Sequence, residues 1–260
     1  MAELVYRPVI AFARGVFKSL DLRFTVEGEE HIPLTGGAVI ATNHVGYLDF
    51  AFIGYGARMR GKRLVRFLAK KEVFDHKISG PLMRGMRHIA VDRSAGAGSF
   101  AVAVEVLKRG ELVGMFPEAT ISESFQLKEF KAGAARMAID AGVPLIPSVV
   151  WGSQRVWTKG RKKELRRNHI PISVLYGEPM HPQPGDDPVA VTEELKARMG
   201  ELLDRAQSSY PEKPEGPDDS WWLPVTMGGT APTLDEARVL SAERKAKAAA
   251  KKRGKGTAGS

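Results

Sequence analysis

The chain has 260 residues, enough for one large α/β domain or two small ones, and 43% of them are hydrophobic, ample for a sizeable core. It contains no cysteine, which excludes disulfides, thiolate metal sites and a cysteine nucleophile and fits a cytosolic compartment, and no apolar run reaches the roughly 18 residues that cross a bilayer. The net charge of +9 is concentrated: residues 155–167 carry seven Lys/Arg against one acid, and the stretch from Asp235 onward carries eight against three, as a solvated face or an attraction to an anionic surface.

In chain order, the first twenty residues read as an amphipathic helix. Val5, Val9, Phe12, Ala13, Val16, Phe17 and Leu20 recur at spacings of three and four, with Arg7, Arg14 and Lys18 on another face. That composition suits a membrane interface, with Phe12 and Phe17 as contacts, as well as it suits packing on a domain. Strands follow at 22–26 and 38–42, the second after the turn residues Thr35-Gly36-Gly37. The pattern then predicts a helix over 48–60, a strand at 64–68, a short helix at 80–87 and a short strand at 88–91. Beyond these come a helix at 98–109, a buried strand at 112–116, a helix at 131–141, strands at 145–150 and 170–176, and a polar helix at 187–208.

Short apolar strands alternating with helices give an α/β fold, with a mostly parallel or mixed sheet and helices on both faces. Residues 211–217 have linker composition, and Trp221 and Trp222 are too apolar for idle chain, so they dock on the domain or meet a membrane. A helix rich in Ala and Lys is expected over 233–252, with disorder from Gly254. The expected organisation is an interface helix at 1–21, a domain at 22–210, and a linker, Trp-Trp segment and basic tail at 211–260.

The segment Thr42-Asn43-His44-Val45-Gly46-Tyr47-Leu48-Asp49 follows the apolar run 38–41 directly. Five residues along a helix is about 500°, which leaves the two side chains roughly 140° apart. His44 and Asp49 meet only if the chain turns between them, with His44 leaving a strand and Asp49 entering the next helix. Gly46 is expected to supply the permissive backbone. In parallel sheets, ligands sit near strand C-terminal ends, where this places His44. Alone, such a pair is more often a structural contact than a catalytic one.

Three further segments bear on it. Residues 87–93 end in Asp92-Arg93, a fork of donors suited to phosphate or a surface ion pair. Residues 112–120 form a buried strand stopped by Pro117, followed by Glu118, Ala119 and Thr120. Residues 143–147 run Val-Pro-Leu-Ile-Pro. In this order and spacing, together with Phe130-Lys131-x-Gly133, the four segments resemble the motif blocks of the glycerolipid acyltransferase family over residues 25–180. They are most similar to its 1-acylglycerol-3-phosphate acyltransferase branch.

The resemblance implies a glycerol-3-phosphate acyltransferase-like fold and acyl transfer from acyl-CoA or acyl carrier protein to a lysophospholipid hydroxyl. His44 takes the general-base role and Asp49 orients it. Arg93, Glu118 and Thr120 fall on the acceptor-binding blocks. No cofactor and no metal is implied, and the enzyme is expected at the cytoplasmic face of the membrane, peripheral or monotopic, on an anionic lipid surface. One departure stands out: the block reads Phe-Pro-Glu-Ala-Thr-Ile-Ser, so Ala119 replaces the family's Gly and Ile121 its Arg. Arg93, Lys128 or Lys131 then supplies the missing cation, or the acceptor is another lipid or glycolipid. A reading of another class, a basic nucleic-acid-binding module without catalysis, lacks aromatics among the basic residues from Asp235 onward, so no specific nucleic acid is expected.

Overall fold

The computed structural model describes residues 4–92 and 98–256. Helix α1 (Tyr6–Ser19) leads into strand β1 (Arg23–Glu27), then β2 (Ala38–Thr42), helix α2 (Asp49–Met59) and β3 (Val65–Lys70). Two short helices, α3 (Lys71–Asp75) and α4 (Ser79–Gly85), precede β4 (Ile89–Val91), α5 (Gly98–Lys108) and β5 (Leu112–Met115). There follow α6 (Gly133–Ala141), β6 (Leu145–Trp151), α7 (Ser153–Val156), β7 (Pro171–Tyr176), α8 (Pro188–Ser208) and α9 (Leu234–Gly256). The disorder expected from Gly254 does not hold for residues 254–256, which continue helix α9; residues 257–260 lie outside the described residues, as does Arg93.

The described strands form one sheet in the order β1-β7-β6-β2-β5-β3-β4. Every pairing is parallel except that of β6 with β7. The α/β fold read from the sequence is therefore the observed one. β2, β6 and β7 are buried along their whole length, as strands covered on both faces must be, and their sequences run apolar without alternation. Pro147 is tolerated in central β6 because it lies across from Ala41 of β2, while the ladder to β7 begins only at Ser148. Helix limits follow local chemistry: Asp187 caps α8 by accepting from the Val189 amide at 3.0 Å, and Gly142, at φ 63°, ends α6.

Two compact units are distinguished. One takes in the described residues up to Ile121 together with Glu129–Glu212. Within it, α1 is bound to the sheet: the Tyr6 hydroxyl donates to the Val65 carbonyl at 2.8 Å. Phe17 is buried against Phe24 and Phe52, with ring centroids 5.4 and 5.2 Å away. This corrects its expected membrane contact. Phe12 and Phe17 are themselves five residues apart, so one helix face cannot present both, and only Phe12, 74% exposed, points outward.

The second unit takes in Ser122–Lys128 and the described residues from Lys213 onward. The Ser122 hydroxyl donates to the Gln126 carbonyl at 2.7 Å, and Glu123 pairs with Arg244 of α9. Trp222 is 1% exposed and Trp221 half-buried. Trp222 is therefore removed from the expected membrane contacts as well.

Candidate active site

His44 leaves β2 two residues past its end, and Asp49 is the first residue of α2. Between them the chain turns so that the imidazole Nδ1 lies 2.9 Å from Asp49 Oδ2. The same oxygen accepts from the Val45 and Gly46 amides at 2.8 Å each. The carboxylate thus collects the free amides of the turn while fixing the ring, a use of a first-turn acid that satisfies otherwise orphan donors. Because a carboxylate accepts, Nδ1 carries the proton and Nε2 presents a lone pair. Asp49 is fully buried and the His44 side chain is 19% exposed, so the ring is reachable and its partner is sealed.

Gly46 plays a different part from the one expected. Its backbone is not left-handed; a Cβ there would come within 2.6 Å of Ser153 Oγ. The glycine is needed for close approach. Ser153, the first residue of α7, donates its hydroxyl to Asp49 Oδ1, so both carboxylate oxygens are held. Around this centre, Asn43 exchanges two hydrogen bonds with the Val150 backbone, at 3.0 and 2.8 Å. The Thr158 hydroxyl donates to the Val45 carbonyl at 2.6 Å, and the Tyr47 amide donates to the Trp157 carbonyl at 2.9 Å. The segment after β6 therefore clamps the turn after β2.

β5 supplies the opposite wall. Phe116 stacks on the His44 ring with centroids 4.0 Å apart and planes at 21°. Glu118 is buried, and its Oε1 accepts from the His44 backbone amide at 3.1 Å. One oxygen of the expected acceptor-binding acid is thereby engaged in holding the end of β2. Ala119, in the family's glycine position, has a left-handed backbone with φ 61°. Thr120 is half-buried at the same strand end, and Ile121 is buried. Lys131 is exposed, and its amide donates to the Pro117 carbonyl at 3.0 Å, closing the loop back on the end of β5.

Sequence reasoning thus located His44, Asp49, Glu118 and Thr120 on adjacent strand ends. It missed Ser153, Thr158 and the stacking role of Phe116. The aromatic in the third block was the available signal for Phe116; for Ser153, 104 positions from Asp49, there was none.

The acyltransferase family model matches residues 23–151, which hold the whole of this constellation except Ser153, Trp157 and Thr158. A 1-acyl-sn-glycerol-3-phosphate acyltransferase of Bacillus subtilis is 32% identical over 203 residues, covering 74% of this chain and 94% of that protein. One of the same name from Limnanthes douglasii is 31% identical, and there the match spans 54% of the relative's length. Among solved structures, the 1-acyl-sn-glycerophosphate acyltransferase PlsC of Thermotoga maritima superposes with a TM-score of 0.65 at 20% identity, covering 79% of this chain and 81% of that one, a likeness of fold. A hydrogen-bonded His-Asp pair at a strand end, the matched blocks and a relative aligned over nearly its full length converge: the chain belongs to the acyltransferase family and is an O-acyltransferase.

Proposed function

We propose that this enzyme transfers a fatty acyl group from a thioester, acyl-CoA or acyl carrier protein, to the free hydroxyl of 1-acyl-sn-glycerol-3-phosphate, giving phosphatidic acid. The observation that carries the reading is the His44–Asp49 pair, with Nδ1 bound at 2.9 Å and the ring partly open to solvent. In the reaction, Nε2 takes the acceptor's hydroxyl proton as the oxygen attacks the thioester carbonyl. Asp49 stabilises the imidazolium that forms. The tetrahedral intermediate collapses with cleavage of the C–S bond, and the thiolate leaves with the proton returned from Nε2. General-base catalysis by one histidine contributes roughly 10² to 10⁴ in rate, and positioning of the two substrates supplies much of the rest. No covalent acyl-enzyme is required.

The acceptor's glycerol and phosphate fall to the end of β5 in this reading, with Thr120 and Lys131 as polar contacts, Glu118 shaping the site through the His44 backbone, and Arg93 as the phosphate ligand. The work is done at the cytoplasmic face of the membrane by a peripheral protein. No helix among the described residues is long and apolar enough to cross a bilayer. Family membership leaves no room for the non-catalytic nucleic-acid reading. Burial of Ile121 where the family has an arginine favours testing a second acceptor class. Purified enzyme supplied with one labelled acyl-CoA and a panel of lysolipids and glycolipids is expected to acylate 1-acyl-sn-glycerol-3-phosphate fastest. Faster acylation of an acceptor without a phosphomonoester would overturn the acceptor assignment and leave the chemistry in place.

A further inference from the structure

β3 leaves the sheet at Lys70, and the chain turns at once into α3 and α4. β3 runs parallel to β5 and β5 parallel to β2, so this helical hairpin begins on the sheet edge where His44 lies. The two strand spacings between β2 and β3 amount to roughly 10 Å. Rings bridge that interval: His44 stacks on Phe116, Phe116 faces Phe67 at 5.9 Å, and Phe67 meets the exposed Phe50 at 6.1 Å.

The hairpin turns apolar side chains outward. Ile78 is 74% exposed and Leu82, one turn on, 41%, with Val73 and Leu4 exposed as well. Val5 lies so close to Gly85 that a Cβ there would meet its methyls at 2.8 Å, which brings the start of α1 beside α4. Three backbone carbonyls of the hairpin are paired within it. Ser79 Oγ donates to the Val73 carbonyl at 2.8 Å, Arg84 to the Phe74 carbonyl at 2.6 Å, and the Gly80 amide to the His76 carbonyl at 2.9 Å. Gly80 is required because the Phe74 carbonyl oxygen occupies the space of its missing Cβ. The last carbonyls of a helix normally rely on water. Here those of Val73 and Phe74 are satisfied from within, which lowers the cost of bringing this backbone into a medium that offers no hydrogen bonds. Lys70 and Lys77 are exposed at the rim and form no ion pair among the described residues. Lys70, Lys71 and Lys77 outnumber the exposed Glu72 and Asp75 over residues 70–79, and a net positive rim around an apolar tip matches anionic headgroups over hydrocarbon.

The geometry points to the α3–α4 hairpin as the element that enters the interface of an anionic phospholipid membrane, Ile78 and Leu82 leading, so that the acceptor lipid moves along one sheet edge to His44. This rests on the reading above, in which the acceptor resides in the membrane. The test is flotation of the full chain with vesicles of mixed phosphatidylcholine and phosphatidylglycerol, which reads binding without turnover. The double variant Ile78→Ser, Leu82→Ser is expected to partition about a hundredfold more weakly. It should lose activity on vesicle-embedded acceptor in proportion while keeping activity on a short-chain acceptor dissolved in water. Because the chain has no cysteine, Ile78→Cys can carry a single environment-sensitive dye, whose emission is expected to shift to the blue when vesicles are added. Wild-type flotation by the double variant, an unmoved dye, or loss of flotation in Phe12→Ser with the double variant unaffected would overturn the proposal. A chain that binds vesicles through the hairpin yet acylates no acceptor would instead sink the catalytic reading alone.

Discussion

Asp49 is the residue on which the site turns, because its two oxygens gather donors from three places: the His44 ring, the amides of Val45 and Gly46, and the hydroxyl of Ser153. The first two are local, and the Asn-His-x4-Asp spacing made the contact with the ring legible. The third arrives from the far end of β6 and leaves no trace in local sequence. Ser153→Ala is expected to lower kcat about tenfold, the effect of one hydrogen bond of roughly 1.4 kcal/mol, with KM nearly unchanged. A raised KM with kcat intact would instead place Ser153 in substrate binding. Ala119 tells a related story. The family's glycine position has φ 61° here, a conformation that costs a Cβ-bearing residue about 1 kcal/mol. Ala119→Gly is therefore expected to raise the unfolding midpoint by roughly 2–4 °C. A lowered midpoint would show that the alanine methyl packs usefully.

At the scale of elements, the long periodic helices and the buried strands were legible because each carries its own pattern over many residues. α3 and α7 span five and four residues, too short for a period, and both went unread although one supplies Ser153 and the other opens the exposed hairpin. The antiparallel pairing of β7 was equally hidden, since strand direction is set by the path of the connection. α1 shows how packing overrides an amphipathic pattern. Its Tyr6 ring meets His88 edge-on at 5.8 Å, and Arg66 lies over Tyr6 at 5.3 Å. His88 accepts from the Phe67 amide at 2.9 Å. Burial, with the Arg66 guanidinium adding to it, pushes its imidazole down to about 4 from an ordinary 6.5.

Between those two pH values the unfolded chain binds a proton that the folded chain refuses. Stability is therefore full above pH 6.5 and declines as pH falls toward 4, by about 3 kcal/mol from this group. His88→Gln keeps an acceptor for the Phe67 amide. Denaturant titrations of wild type and variant from pH 7 to pH 4 should show the variant losing less stability by that amount. Parallel curves would contradict the account of His88.

On the scale of the whole molecule, the motif blocks at His44, Asp92 and Glu118 reach one edge because the parallel strands β2, β4 and β5 deliver their C-terminal ends there, whereas residues 143–147 lie at the N-terminal end of β6 and brace β2 from beside it. That convergence was readable once the alternation of strands and helices was recognised. The grouping of Ser122–Lys128 with the C-terminal residues was not, because it depends on long-range pairs such as Glu123 with Arg244, 121 positions apart. The chemistry rests on the imidazole at the centre of that edge. The most direct measurement is the rate of labelled acyl transfer from acyl-CoA to lysolipid by wild type, His44→Ala and Asp49→Asn, with matched circular dichroism and denaturant midpoints. The account predicts that His44→Ala retains its fold and loses roughly 10² to 10⁴ in kcat, with Asp49→Asn also impaired. A folded His44→Ala enzyme turning over at the wild-type rate would contradict it.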